Sequence, residues 1–574
     1  MTISDFSRDA VCRYLRSVVL IDDNLFNARE GHSRQNDLDL DGPPILILNK
    51  DGVVPDLATM AIGADEDDRR ADDNWVDARS VTDGFAKEGI VCGVYEPKDF
   101  PETNFESDDN FKTLLKVCTN ADVFILDWHL FRGDQNENAV AHLLKYILNE
   151  DNRNASPKPV RFCAIYTAER VDAICDKVYA AFKQIDSSAR QDVDARKVYA
   201  GGLTVCIYAK EEATSSGAVA AKDLADRIIT DYAKAYEGIL PALALRGIAS
   251  IRDNTKRILE KFPAGMDPAF VLHAGLTISG KSIAEDVVNL MGDEVASVLA
   301  DTQVASDEIY ELCKEQIIGG CDEHVLAGLK ADTSLVPPDV TWQEIKEFFV
   351  KVFSDRNFPK KTKVFVPWKD KIRLHKINAN LLAALSGLVR QKTSGDRTYQ
   401  FGALSALFCH RTNYAASKML RFGSVVRCIS SAENEARYFL CLMPLCDSIR
   451  LKDADKDGNA VKHRFPFWQL TEVPKDFQGR NHGLVLKGAD GEFRPYCAKG
   501  KIRDSFSLFE FNSMNSIVQF DSHNIVKTAD NAYSFEWVAE LKSAHIQRMA
   551  EFVSREFSRV GLTESEWLRL QVDR

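Results

Sequence analysis

The stretch ADVFILDWHL, residues 121–130, decides how the N-terminal part of this chain is read. Four apolar residues, Val123, Phe124, Ile125 and Leu126, run straight into a carboxylate, Asp127. A short continuous apolar run bounded by polar residues is the pattern of a strand buried on both faces of a parallel sheet. An ionised acid at the rim of such a core costs free energy unless something pairs with it. Asp127 therefore marks a candidate site.

Four more runs of the same kind surround it. SVVLIDD (17–23) ends in Asp22 and Asp23, and GIVCGVYEP (89–97) follows after a long gap. VRFCAIYTAE (160–169) ends on Thr167, and LTVCIYAKE (203–211) ends on Lys210. Helical periodicity lies between and after them. Val140, Leu143, Leu144 and Ile147 share one face, as do Val171, Ile174, Val178 and Phe182, and again Leu224, Ile228 and Tyr232. The alternation predicts an α/β domain over residues 1–235 with a doubly wound, five-stranded parallel sheet. A long insertion, about 26–88, interrupts it. It holds PPILILNKDG, which reads as a strand and turn, and the acidic run GADEDDRRADDNWVD, which reads as a loop.

Composition bounds the rest. The chain has 574 residues, 45% hydrophobic and 28% charged, the balance of a soluble globular protein of several domains. No apolar run is long enough to span a bilayer, and the first sixteen residues lack a signal-peptide pattern, so a cytoplasmic protein away from membranes is expected. Thirteen cysteines occur singly, with no C-x-x-C pair, and read as reduced small hydrophobes. A net charge of −12 argues against broad nucleic-acid binding.

Reactive groups of an open parallel sheet collect at the carboxyl ends of its strands. Those ends carry Asp22, Asp23, Asp127, Thr167 and Lys210. Three carboxylates in one cleft repel unless a divalent cation sits among them, and Mg2+ takes hard oxygen ligands of this kind. An aspartate beside Mg2+ can attack a phosphoryl group. In order and in placement, the LIDDN, ILDWHL, IYTAE and IYAKE segments resemble the receiver domain of two-component response regulators, a flavodoxin-like fold. That resemblance implies Asp127 as phosphoacceptor and Asp23 as a direct metal ligand, with Asp22 assisting through water. It implies a metal-bound backbone carbonyl on His129, with Thr167 as switch hydroxyl and Lys210 as the essential lysine. Three features depart from the pattern. Glu211 follows the lysine where receivers carry proline, Ile207 holds the aromatic switch place with Tyr208 one position off, and the gaps between motifs are long. A flavodoxin-like domain with solvated loop acids, or a receiver fold that is never phosphorylated, are the plainer readings of the same residues.

Residues 236–335 read as a helical connector, and 336–574 as an α+β domain of no recognised type. TWQEIKEFFVKVF and NANLLAALSGLV look helical. GSVVRCIS, ARYFLCLMPL, HGLVLKG and SIVQFD look like strands, and EWVAELKSAHIQRMAEFVSREFSRVG reads as one long closing helix ending at Gly561. GLTISGKS (275–282) matches the P-loop letters, with Lys281 and Ser282 as phosphate and Mg2+ ligands if a strand precedes it. DADKDGNAVKHR (453–464) starts like a calcium loop but carries Arg464 where a glutamate is needed, so a hairpin turn is expected. RNFPKKTKVFVPWKDKIRLHK (356–376) mixes basic and aromatic residues and suits either a solvated face or single-stranded nucleic acid. His410, His463, His482 and His545 look isolated, and no effector motif appears.

The layout resembles the large receiver proteins of bacterial antiphage two-component-like systems such as Detocs. It implies a histidine kinase as partner and a second receiver protein bearing the effector, with this chain buffering or relaying phosphate. The alternatives are a receiver-fold scaffold whose C-terminal domain binds a protein or nucleic acid, and a nucleotide-binding protein using residues 275–282.

Overall fold

A computed structural model of the chain describes residues 2–22, 25, 76–97, 108–130, 139–154, 160–211, 217–276, 280–302, 304, 308–319, 341, 343, 397–413, 415, 417–429, 437–449, 451–473, 483–498 and 502–557. The chain divides into two compact units, Met1–Ser250 and Ile251–Arg574. The expected strand in PPILILNKDG, the helix at 341–353 apart from residues 341 and 343, the helix at 378–389 and the basic stretch 356–376 lie outside the described residues.

In the first unit, helix α1 (Ile3–Tyr14) precedes strand β1 (Ser17–Ile21). Then come α2 (Ala78–Lys87), β2 (Val91–Tyr95), α3 (Asp109–Asn120), β3 (Val123–Leu126), α4 (Ala139–Asn154), β4 (Arg161–Thr167) and α5 (Val171–Lys183). They are followed by β5 (Arg190–Asp192), β6 (Lys197–Ala200), β7 (Leu203–Ala209), α6 (Leu224–Ala235) and α7 (Ile239–Asp253). The sheet order is β2-β1-β3-β4-β7-β6-β5. The first five strands are mutually parallel, which is the expected βα alternation. The expected count of five is corrected to seven, because β5 and β6 form an antiparallel hairpin on the outer edge of β7. RQD and KVYA are too short and too polar to read as strands alone, and they are held by pairing with β7.

The inner strands β1, β3, β4 and β7 are buried on both faces, while the edge strands β2 and β5 are largely exposed. Val19, Phe124, Cys163 and Ile207 point to a core shared with α3, α4 and α5. On the other side Tyr232 of α6 meets Phe162 of β4 at 5.0 Å between ring centres. Helix α1 packs on α6, and so does α2. At Gly84 of α2 an added Cβ would stand only 3.1 Å from the Ala225 Cβ, a tight contact that would push the two helices apart by a few tenths of an ångström. The last part of the expected insertion is thus α2, an ordinary member of the alternation. Helix α7, as far as Ser250, also belongs to this unit. Its Arg246 stacks 4.9 Å from the centre of the Phe6 ring and pairs with Asp9.

After a short helix at Thr255–Leu259, the second unit continues with the helices α8 (Asp267–Leu276), α9 (Gly280–Asp301) and α10 (Glu308–Gly319). Helix α11 (Arg397–Cys409) leads into a nine-stranded antiparallel sheet of β8 (His410–Arg411), β9 (Ser424–Cys428), β10 (Arg437–Cys441), β11 (Lys462–Glu472), β12 (Gly483–Lys487), β13 (Phe493–Cys497), β14 (Phe506–Asn512), β15 (Ile525–Lys527) and β16 (Ser534–Leu541). Helix α12 (Ser543–Phe557) closes it. The single closing helix expected from residue 536 is corrected. Phe535, Ala539 and Leu541 are buried strand positions, and the helix starts only at Ser543. SIVQFD is corrected too. Val518 and Phe520 are buried, but the segment makes isolated bridges and no ladder. Phe439, Phe465, Phe467, Phe511 and Phe535 fill one face of the sheet.

Candidate functional site

The parallel register brings the strand ends together. The Asp127 N–H donates to the Ile21 carbonyl at 3.1 Å, which sets Asp127 beside the end of β1 and hence beside Asp22. The Lys210 N–H donates to the Thr167 carbonyl at 2.8 Å and aligns the ends of β4 and β7. Asp22, Asp127, Thr167 and Lys210 are all buried, none more than 2% exposed. Asp23 lies outside the described residues.

The acid at the rim of the core is paired. Lys210 Nζ donates to Asp127 Oδ2 at 2.9 Å and lies 3.9 Å from Asp22 Oδ2. The His129 N–H donates to Asp127 Oδ1 at 3.4 Å. Lys210 Nζ also sits 5.8 Å from the Tyr166 ring centre, so its charge has an aromatic face as well as carboxylates. Thr167 Oγ1 accepts the Glu169 N–H at 3.1 Å, which leaves its own proton available for donation.

Among the described residues, the Lys210 ammonium faces the two buried carboxylates of Asp22 and Asp127. Asp22, Asp127 and the carbonyl of His129 are hard oxygen donors, and this set fits Mg2+, which keeps several waters of its own. Among the described residues no group of three His, Cys, Asp or Glu side chains is gathered for a metal.

Three features at this end of the sheet were not legible in sequence. His129 Nε2 bonds Glu169 Oε1 at 3.1 Å, joining the loops after β3 and β4. Tyr208, one place from the usual aromatic position, donates to Asp231 Oδ2 of α6 at 3.0 Å. The buried Lys197 of β6 donates to the other oxygen of Asp231 at 3.1 Å. Only the residue types were visible beforehand, because each contact joins different elements.

The other motifs lack the geometry their chemistry needs. Gly275 lies in α8 and Gly280 opens α9, so the P-loop letters are preceded by a helix and not by the strand a phosphate cradle requires. The side chains of Lys281 and Ser282 lie outside the described residues. The segment at 453–464 is a turn leading into β11. Asp455 Oδ1 accepts the N–H groups of Asp457 and Asn459, and Ala454 bridges Ala460. His410 and His545 are close enough that the charge of one depresses the other.

A seven-stranded mixed sheet with buried acids just after β1 and β3, a hydroxyl at the last residue of β4 and a lysine just after β7 defines a receiver-type module. Residues 14–215 match the family model of the response receiver domain, about a third of the chain, and the match contains every strand-end residue named above. No curated protein and no solved structure gives a significant match.

Proposed function

We propose that the protein is a signalling component of a two-component-like system that accepts a phosphoryl group on Asp127 from a partner histidine kinase. The observation that supports it is Asp127 itself, buried at the end of β3 with Lys210 Nζ at 2.9 Å. The match of residues 14–215 to the receiver family supports a phosphoacceptor role in general. In this reading a carboxylate oxygen of Asp127 attacks the phosphorus of a phosphohistidine. The P–N bond breaks as the P–O bond forms, and the imidazole leaves with the bonding pair and takes up a proton. Lys210 supplies a preorganised positive charge to the incoming phosphoryl oxygens, and Thr167 donates its hydroxyl proton to one of them. Asp22, Asp23, Asp127 and the carbonyl of His129 would hold Mg2+, which would supply charge neutralisation at the phosphoryl group.

The wider role in this reading is a cytoplasmic phosphate buffer or relay in antiphage defence, sharing its kinase with a receiver protein that carries the effector. Its support is the layout, a segment at residues 14–215 that matches the receiver family followed by a larger second unit, Ile251–Arg574. The test is incubation with Mg2+ and a small acyl phosphate, then with candidate kinases. Intact mass should show one base-labile phosphate that disappears in Asp127→Ala. Absence of uptake from every donor sinks the reading.

A further inference from the structure

Tyr166, the last residue but one of β4, is buried and held at both ends. Its backbone pairs with Tyr208 in the ladder between β4 and β7. Its hydroxyl donates to the Val219 carbonyl at 2.8 Å. Val219 stands in the segment that leads from Lys210 to α6, and its own N–H donates to the Ala209 carbonyl at 2.9 Å. The phenol thus ties the end of β4 to the chain that returns after Lys210. Between these two anchors the ring meets the Lys210 ammonium, 5.8 Å from the ring centre. An aromatic face attracts a cation within about 6 Å, most strongly where water is excluded, and Lys210 is buried. The same ammonium donates to Asp127 Oδ2 at 2.9 Å and lies 3.9 Å from Asp22. A lysine carries its charge on a flexible stem, so an anchored aromatic face beside it narrows the places that charge can take.

We propose that Tyr166 is a positioning residue for phosphoryl transfer: its anchored ring aims the Lys210 ammonium at Asp127, and its hydroxyl fixes that ring on the Val219 segment. The inference rests on the phosphoacceptor reading above and deepens it. Tyr166 acts through Lys210 and takes no part in the bond changes. With acetyl phosphate as donor, a carboxylate oxygen of Asp127 attacks phosphorus. The bond from phosphorus to the acetyl oxygen breaks, and acetate leaves with the bonding pair. An ammonium already aimed at the phosphoryl oxygens stabilises this transition state without reorganising. Loss of the ring leaves the charge in the site but not its aim. Transition-state stabilisation is then lost while donor binding is kept, so the rate at saturation falls and the half-saturating donor concentration stays.

The test uses the full chain with Mg2+ and a range of acetyl phosphate concentrations, following loading by intact mass. Tyr166→Leu, which removes ring and hydroxyl together, should lower the saturating rate by about 2- to 30-fold. Tyr166→Phe keeps the aromatic face and loses only the tether, so it should recover most of that rate. A Tyr166→Leu rate equal to the parent's overturns the proposal, and so does a loss carried by the half-saturating concentration alone. A Tyr166→Phe variant as slow as Tyr166→Leu overturns it too, since the ring would then contribute nothing. Urea unfolding of Tyr166→Leu, Lys210→Met and the double variant decides the contact without any phosphate. The shift that Tyr166→Leu makes in the unfolding equilibrium should be smaller by about 2-fold or more when Lys210 is already Met. Lys210→Gln takes its place in the cycle if Lys210→Met does not fold. Additive shifts defeat the proposal. Coupled shifts in a chain that takes up no phosphate defeat the acceptor reading alone.

Discussion

Lys210 is the residue on which the two acids depend. It is 1% exposed and reaches both Asp127 and Asp22. Lys210→Met leaves two carboxylates buried without their ammonium, and breaking a buried pair this way costs about 3–5 kcal/mol. Urea unfolding of the variant should show that loss, and phosphate uptake should fall with it. His410 makes a second residue-scale prediction. Burial first, and then the charge of His545, push its pKa from 6.5 down to about 4. His545 is lowered as well, by burial and by Arg548, and Lys542 adds to the positive charge facing His410. An unfolded histidine takes up its proton near pH 6.5, while the folded one waits until about pH 4. Between those values the unfolded state binds more protons, so stability is full above pH 6.5 and falls as pH drops toward 4. Melting temperatures across that window should decline for the parent chain and decline less for His410→Gln. The proximity of the two histidines could not be read from positions 135 apart.

At the scale of elements, the β5–β6 hairpin depends on one carboxylate. Asp231 of α6 is 3% exposed and accepts from Lys197 of β6, Tyr208 of β7 and Arg227. It therefore ties the added hairpin, the last parallel strand and the last helix of the receiver-type alternation. Asp231→Ala strands Lys197 in the interior and should cost about 3–5 kcal/mol by denaturant unfolding. Adding Lys197→Met should recover much of it, because the uncompensated charge is then gone. β1, β3, β4 and β7 were legible because each is buried and reads as an unbroken apolar run, whereas the edge strand β2 is largely exposed. The hairpin was not, since Arg190–Asp192 has no such run and is a strand only by virtue of its partner. Strand β16 was misread for a related reason. EWVAEL suits either state by composition, and cross-strand pairing with β9 and β15 selects the strand.

For the whole molecule, the division into Met1–Ser250 and Ile251–Arg574 makes the first unit a candidate autonomous module. A fragment ending at Asp253, which keeps α7 and its Arg246 contacts with α1, should fold and take up phosphate on Asp127 at the rate of the full chain. A fragment that is folded by circular dichroism but takes up none would tie acceptor chemistry to the second unit. The sequence by itself determined which residues stand at the carboxyl ends of the strands, because hydrophobic patterning is local and a buried parallel strand announces its own length. It also determined the residue types that make Asp127 a candidate acceptor. Only the tertiary structure decided that Lys210, 83 residues away, reaches Asp127 at 2.9 Å. It alone closed His129 on Glu169 and gathered Lys197 and Tyr208 around Asp231. Those contacts follow from strand order, register and helix packing, which are set by interactions between distant segments and leave no trace in the pattern of any one of them.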